Sequence, residues 1–190
     1  MAAGSGLGSW DARTIVSNML PLLVVLCTIV LWAGITLQEA EALLDEYGLL
    51  AVMVPTMVGA GGNLGTILSS RLTTRLHLGT TELAVRDRVL WANVVAVLAL
   101  AATVFTALAA GAWVIGRVIG APLPLSALLT ISLVSGMSVA VIAVVFGLAT
   151  TYGSYRLGID PDDTTIPIVT NVVDVFGMVI FIGVSTLVLG

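Results

Sequence analysis

Five stretches of this sequence, at about 14–37, 47–70, 89–117, 123–152 and 165–189, are apolar over lengths that suit a lipid bilayer. A helix crosses the hydrocarbon with about 20 mostly apolar residues, and charged or proline-containing breaks separate the five runs. Of the 190 residues 58% are apolar and 9% are charged, whereas soluble domains carry about 25% charged residues. A water-soluble fold is excluded. The fold class is an all-α integral membrane protein of five transmembrane helices. No low-complexity linker divides the chain, so residues 1–190 are read as one domain.

The first run is longer than the core of a signal peptide, about 7 to 15 residues, and no small-residue cleavage site follows it, so it is expected to remain as a span. Cys27 is the lone cysteine and lies inside that span. It excludes an intrachain disulfide and is expected to be a buried, inert thiol. All seven basic residues are arginine, and the net charge is −4. Nucleic acid is not an expected partner, because binding its backbone needs a clustered basic face.

Arginine placement sets the orientation. With the amino terminus inside, cytoplasmic segments hold Arg13, Arg71, Arg75, Arg86, Arg88 and Arg156, against Arg117 alone outside. Five spans then place the carboxyl terminus outside, in a multi-pass protein of the plasma membrane. The first external loop carries Glu39, Glu41, Asp45 and Glu46. This acidic collar either concentrates cations by its field or is a solvated loop. Five helices make a thin wall for a pore, so a dimer with the pathway on its two-fold axis is expected.

Asp174 carries the strongest chemical signal. A carboxylate near mid-helix costs about 2.5 to 3.5 kcal/mol and usually faces a polar cavity or a partner. No other charged residue lies well inside a span, and the arginines sit at helix ends, where they can snorkel. Asp174 therefore calls for a cation or a proton. Pro167, Thr170, Gly177 and Met178 fall at helical steps of three or four from it or from each other, with Asn171 beside them. Thr170 offers a hydroxyl or a backbone carbonyl one turn from the carboxylate. Pro167 disrupts backbone pairing nearby, and Gly177 permits close approach. The stripe reads as an oxygen-lined ion site, with a protonated Asp174 bonded to a neighbouring helix as the structural alternative.

The second signal is Gly59-Ala60-Gly61-Gly62-Asn63-Leu64-Gly65, continuing through Thr66, Ser69 and Ser70. Each glycine costs up to about 1 kcal/mol of helix propensity in water. Gly61 and Gly65 form a GxxxG pair that helix packing alone explains. Packing does not explain Asn63, whose amide needs a partner in lipid. Gly62, Asn63 and Thr66 are candidate pore-lining residues with Ser70 on the same face, on a helix that is either broken or closely packed. Ser126, Thr130, Ser132, Ser135, Gly136 and Ser138 of the fourth span, with Asn18 and Asn93, read as packing and carbonyl-bonding groups. His77 has no Cys or His companions, which argues against a transition-metal site. No P-loop, zinc motif or intramembrane Ser–His pair is present, so the chain is not read as an enzyme.

Taken as strings, Pro55, Gly61-Gly62-Asn63-Leu64-Gly65, Ser70-Arg71-Leu72-Thr73-Thr74 and His77-Leu78-Gly79 resemble one signature of the MgtE and solute carrier 41 family of magnesium transporters and channels. Asp160-Pro161-Asp162-Asp163, Ile166-Pro167 and Val173-Asp174-Val175-Phe176-Gly177 resemble its second. The resemblance implies a dimeric five-helix pore domain lined by the second and fifth spans. It also implies Mg²⁺ held by Asp174, with the Thr170 backbone carbonyl one turn before it. A pore asparagine that precedes the proline of the fifth helix in bacterial members is Ile166 here, which looks closer to the solute carrier 41 branch. About thirteen residues precede the first span, so the cytoplasmic Mg²⁺-sensing domain of bacterial members is not expected in this chain. The expected partners are membrane lipid, Mg²⁺, and a second copy or a related half-size chain.

The function expected from these readings is transport of divalent cations, chiefly Mg²⁺. Mg²⁺ dehydrates reluctantly, and carboxylates that contact its waters suit it. A proton-coupled carrier of another small solute and a non-transporting assembly subunit are the alternatives. An intramembrane aspartyl protease would need a second catalytic aspartate.

Overall fold

The computed structural model describes residues 12–80 and 87–190 and, within them, all side chains except those of residues 12–15, 18 and 162. Among the described residues every regular element is a helix. The helices are α1 (Ala12–Glu39), α2 (Glu41–Glu46), α3 (Gly48–His77), α4 (Arg88–Val118), α5 (Leu125–Arg156) and α6 (Pro161–Leu189). All but the short α2 are long and apolar enough to cross a membrane.

The central element is α5, which packs against α3, α4 and α6. Its sequence is apolar nearly all round, with most of the helix packed against these three and Val134, Val141 and Val145 exposed on the remaining face. Small residues bring those neighbours close. Gly136 receives the fully buried ring of Phe105 from α4, and a Cβ there would overlap the ring. One turn away, the buried Ser132 hydroxyl donates to the Phe105 carbonyl at 2.7 Å, so an exposed-lipid cost is replaced by an interhelical bond. Around this central helix, α3 packs on α4, α5 and α6, and α6 packs on α5, α3 and α1.

Helix α1 is the outlying element, resting chiefly on α6. Val24, Val25, Leu31 and Trp32 are exposed on it, and so is Cys27. The expected buried thiol is therefore corrected: Cys27 lies on the outer face, because α1 has a single main neighbour. The acidic stretch expected as a loop instead ends α1 at Glu39 and forms α2, with Glu41, Asp45 and Glu46 on it. Of the arginines used to orient the chain, Arg86 and the Arg13 side chain lie outside the described residues, as does the Asn18 side chain.

Helical hydrogen bonding outlasts the apolar runs. α3 continues past Ser70 to His77, α5 past Tyr152 to Arg156, and α6 begins at Pro161 rather than near Thr165. Arg71 and Arg75 are good helix formers, which lets α3 continue beyond its apolar run. α3 stops at Gly79, whose φ of 62° closes a turn that side chains other than glycine rarely adopt. There the amides of Leu78, Gly79 and Thr80 donate to the carbonyls of Thr74, Leu76 and Arg75. Across the gap in the described chain, Asp87 caps α4 by accepting from the Val89 amide at 2.8 Å.

Candidate functional site

The glycine-rich segment of α3 stays helical without a break, and its four glycines do different work. A Cβ on Gly61 would meet Val139 of α5 at 2.5 Å and Val173 of α6 at 2.9 Å, and one on Gly65 would overlap Val169 of α6. Both glycines are contact points at which α3 meets α5 and α6. Gly62 is looser: a Cβ there would lie 3.7 Å from Thr170 Cγ2. Gly59 has nothing within 4 Å of that position.

Residues one turn apart share a helix face, and one face of α3 is open. It runs through Pro55, Gly59 and Asn63, all exposed, to the half-buried Thr66 and Ser70. The Thr66 hydroxyl is committed to the Gly62 carbonyl at 3.0 Å. Asn63 makes no side-chain hydrogen bond among the described residues, so its amide is available at the surface of the bundle.

Helix α6 also divides by face. Thr165, Val169, Val173, Gly177, Phe181 and Ser185, spaced four apart, are buried. Gly177 belongs to this inward row, where a Cβ would lie 3.5 Å from Val58 and 3.6 Å from Val139. The structure therefore places Gly177 in the packing between α3, α5 and α6 and not with the polar group. Pro167, Thr170, Asn171 and Asp174 lie on the half-buried remainder of the helix.

Local bonds order this polar group. Pro167 has no amide to offer the Asp163 carbonyl. Its own carbonyl accepts from Asn171 Nδ2 at 2.7 Å and from the Thr170 hydroxyl at 3.1 Å, and the same hydroxyl lies 2.9 Å from the Ile166 carbonyl. The Thr170 hydroxyl proton is thus engaged within its own helix, which leaves lone pairs as what Thr170 and the Asn171 side-chain oxygen present outward. One turn further lies Asp174. Among the described residues nothing donates to its carboxylate and no cationic side chain pairs with it. A half-buried charge without a partner, within a membrane span, is costly enough to require a compensating ion, proton or donor from outside the described chain.

The Gly62–Thr170 approach joins the two groups. Asn63 follows Gly62 on α3, and Asp174 follows Thr170 by one turn on α6, so the open face of α3 and the polar group of α6 adjoin at this crossing. Sequence spacing pointed to both stripes. Pro55 and Gly59 extend the open face of α3 beyond the residues singled out from the sequence, and their spacing of four from one another and from Asn63 was the signal for that face.

No curated protein matches this chain. The family model for MgtE, described as a divalent cation transporter, matches residues 54–184. The match runs from just before Pro55, through the glycine segment, past Asp174 to the last turns of α6, and so covers both groups and the central helix between them. This multi-pass membrane chain belongs to the MgtE family of divalent cation transporters.

Proposed function

We propose that this chain transports Mg²⁺ in preference to other divalent cations, through a pathway between two copies, or between one copy and a related half-size chain. Asp174 is the ion-binding group. The observation that carries this reading is its half-buried carboxylate, within a span and without a partner among the described residues.

Mg²⁺ keeps several of its waters, so two ionised Asp174 side chains facing each other across an axis hold it through those waters. The Thr170 carbonyl and the Asn171 side-chain oxygen add acceptors one turn away, and Asn63, Gly62 and Thr66 of α3 line the approach beside Pro167. The polar stripe is then wetted by the pathway and the apolar face of α1 is left to lipid. By the arginine rule the basic end of the bundle, with Arg71, Arg75, Arg88 and Arg156, faces the cytoplasm of a plasma-membrane protein, and Gly190 ends outside. The resemblance at 160–177 favours the solute carrier 41 branch.

The test is Mg²⁺ uptake into liposomes that hold the purified chain alone, with Co²⁺, Mn²⁺ and Ca²⁺ as competitors. Uptake that Asp174→Ala abolishes, in a variant that elutes at the size of the native assembly, is the expected result. Undiminished uptake in that variant removes Asp174 from the mechanism. Solute flux that follows a proton gradient and ignores Mg²⁺ replaces the reading with a proton-coupled carrier.

A further inference from the structure

A cleft of about 560 Å³ opens at the basic end of the bundle, away from Asp174, lined by Ser70, Arg71, Thr74, Arg75, Leu78 and Thr80 of the α3 end and by Asn93 of α4. From its lining we propose that it binds the phosphate of an anionic phospholipid.

Arg71 and Arg75 are one turn apart, ~6 Å along the axis, and so lie on the same side of α3. Arg71 is preorganised: its guanidinium donates to Asn93 Oδ1 at 3.3 Å, and Asn93 is 7% exposed and anchored by its own amide to the Val89 carbonyl at 2.8 Å. Neither arginine is paired with a carboxylate among the described residues, and the Arg75 guanidinium has no partner there at all. A helix carboxyl terminus ordinarily repels anions through its free carbonyls. Here those of Thr74, Arg75 and Leu76 are occupied by the amides of Leu78, Thr80 and Gly79, which lowers that repulsion. Asp87, the described carboxylate at the start of α4, is turned to the Val89 amide as a cap.

Two guanidiniums in one open cleft, with the Ser70 hydroxyl beside them, suit a group with several anionic oxygens; the Thr74 and Thr80 hydroxyls donate instead to the Ser70 and Arg75 carbonyls. The position selects its source. The cleft lies where the apolar spans give way to the headgroup layer, and Leu78, 70% exposed, lies on its rim for the apolar part of a lipid. Basic groups at this level attract anionic lipid.

Native mass spectrometry of the full chain, titrated with phosphatidylglycerol against phosphatidylcholine, tests this. The paired variant Arg71→Gln with Arg75→Gln should weaken phosphatidylglycerol binding about tenfold or more. Arg75→Gln alone, which breaks no bond of the fold, should give part of that loss. Arg156→Gln, which removes an arginine stacked on Tyr152 at the same end, should change it little. Equal loss in Arg156→Gln, or none in the paired variant, shows charge attraction without a site and overturns the proposal. Displacement of the lipid by millimolar inorganic phosphate overturns the lipid as the source.

Discussion

Along α3 and α6 the inward and outward faces differ in what each position tolerates. Inward, Gly61 and Gly65 have no room for a methyl group, because Val139, Val169 and Val173 fill the space a side chain would take. Outward, Gly59 has open space, Asn63 has no partner among the described residues, and the Asp174 carboxyl group has none either. Glycine thus occurs on both faces of α3, packed at Gly61 and Gly65 and open at Gly59. Small residues inside bring backbones together, which is how membrane helices associate without a hydrophobic drive. Polar residues outside lower packing quality and are retained at an energetic cost.

The largest effect that would sharpen this contrast is at Asp174. Asp174→Asn keeps the shape and removes the charge, so Mg²⁺ flux in liposomes should fall to the protein-free background while the melting temperature in detergent holds or rises. A large loss of stability would place the carboxylate among the packing groups instead. Next comes the inward face. Gly65→Val forces a branched side chain against Val169 and should destabilise the folded chain by about 1–3 kcal/mol, read from unfolding in mixed micelles.

Asn63→Ala should reduce flux in part and shift stability by no more than about 0.5 kcal/mol, as at positions free of buried contacts. Gly59→Ala is the smallest change: it should leave flux intact and stabilise α3 by up to about 1 kcal/mol through helix propensity. If Gly59→Ala costs as much stability as Gly65→Val, the two faces of α3 are not distinct.

Hydropathy made the spans legible because a bilayer demands about 20 apolar residues from any helix that crosses it. It did not mark where the helices end, since Arg71, Thr73, Thr74, Arg75 and His77 are polar yet helical, and it missed α2, whose acids read as loop. Asp174 stood out from composition alone. Its neighbours were harder to sort. Gly177 is three residues from Asp174 and looked like part of the same stripe, but the row through Thr165, Val169 and Val173 turns it toward Val58 and Val139. The GxxxG pair foretold close contact without naming the partner helices, because spacing reports a face and not what lies against it. Cys27 shows the same limit: an apolar span can be central, as α5 is, or marginal, as α1 is, and its sequence hardly distinguishes them.

The marginal position of α1 gives it leverage. It leans chiefly on α6, the helix that carries Asp174, while most of its own surface is free to meet whatever surrounds the bundle. A displacement of α1 therefore meets α6 before any other spanning helix. The outermost helix is in this way the one whose position depends most on the helix that carries Asp174.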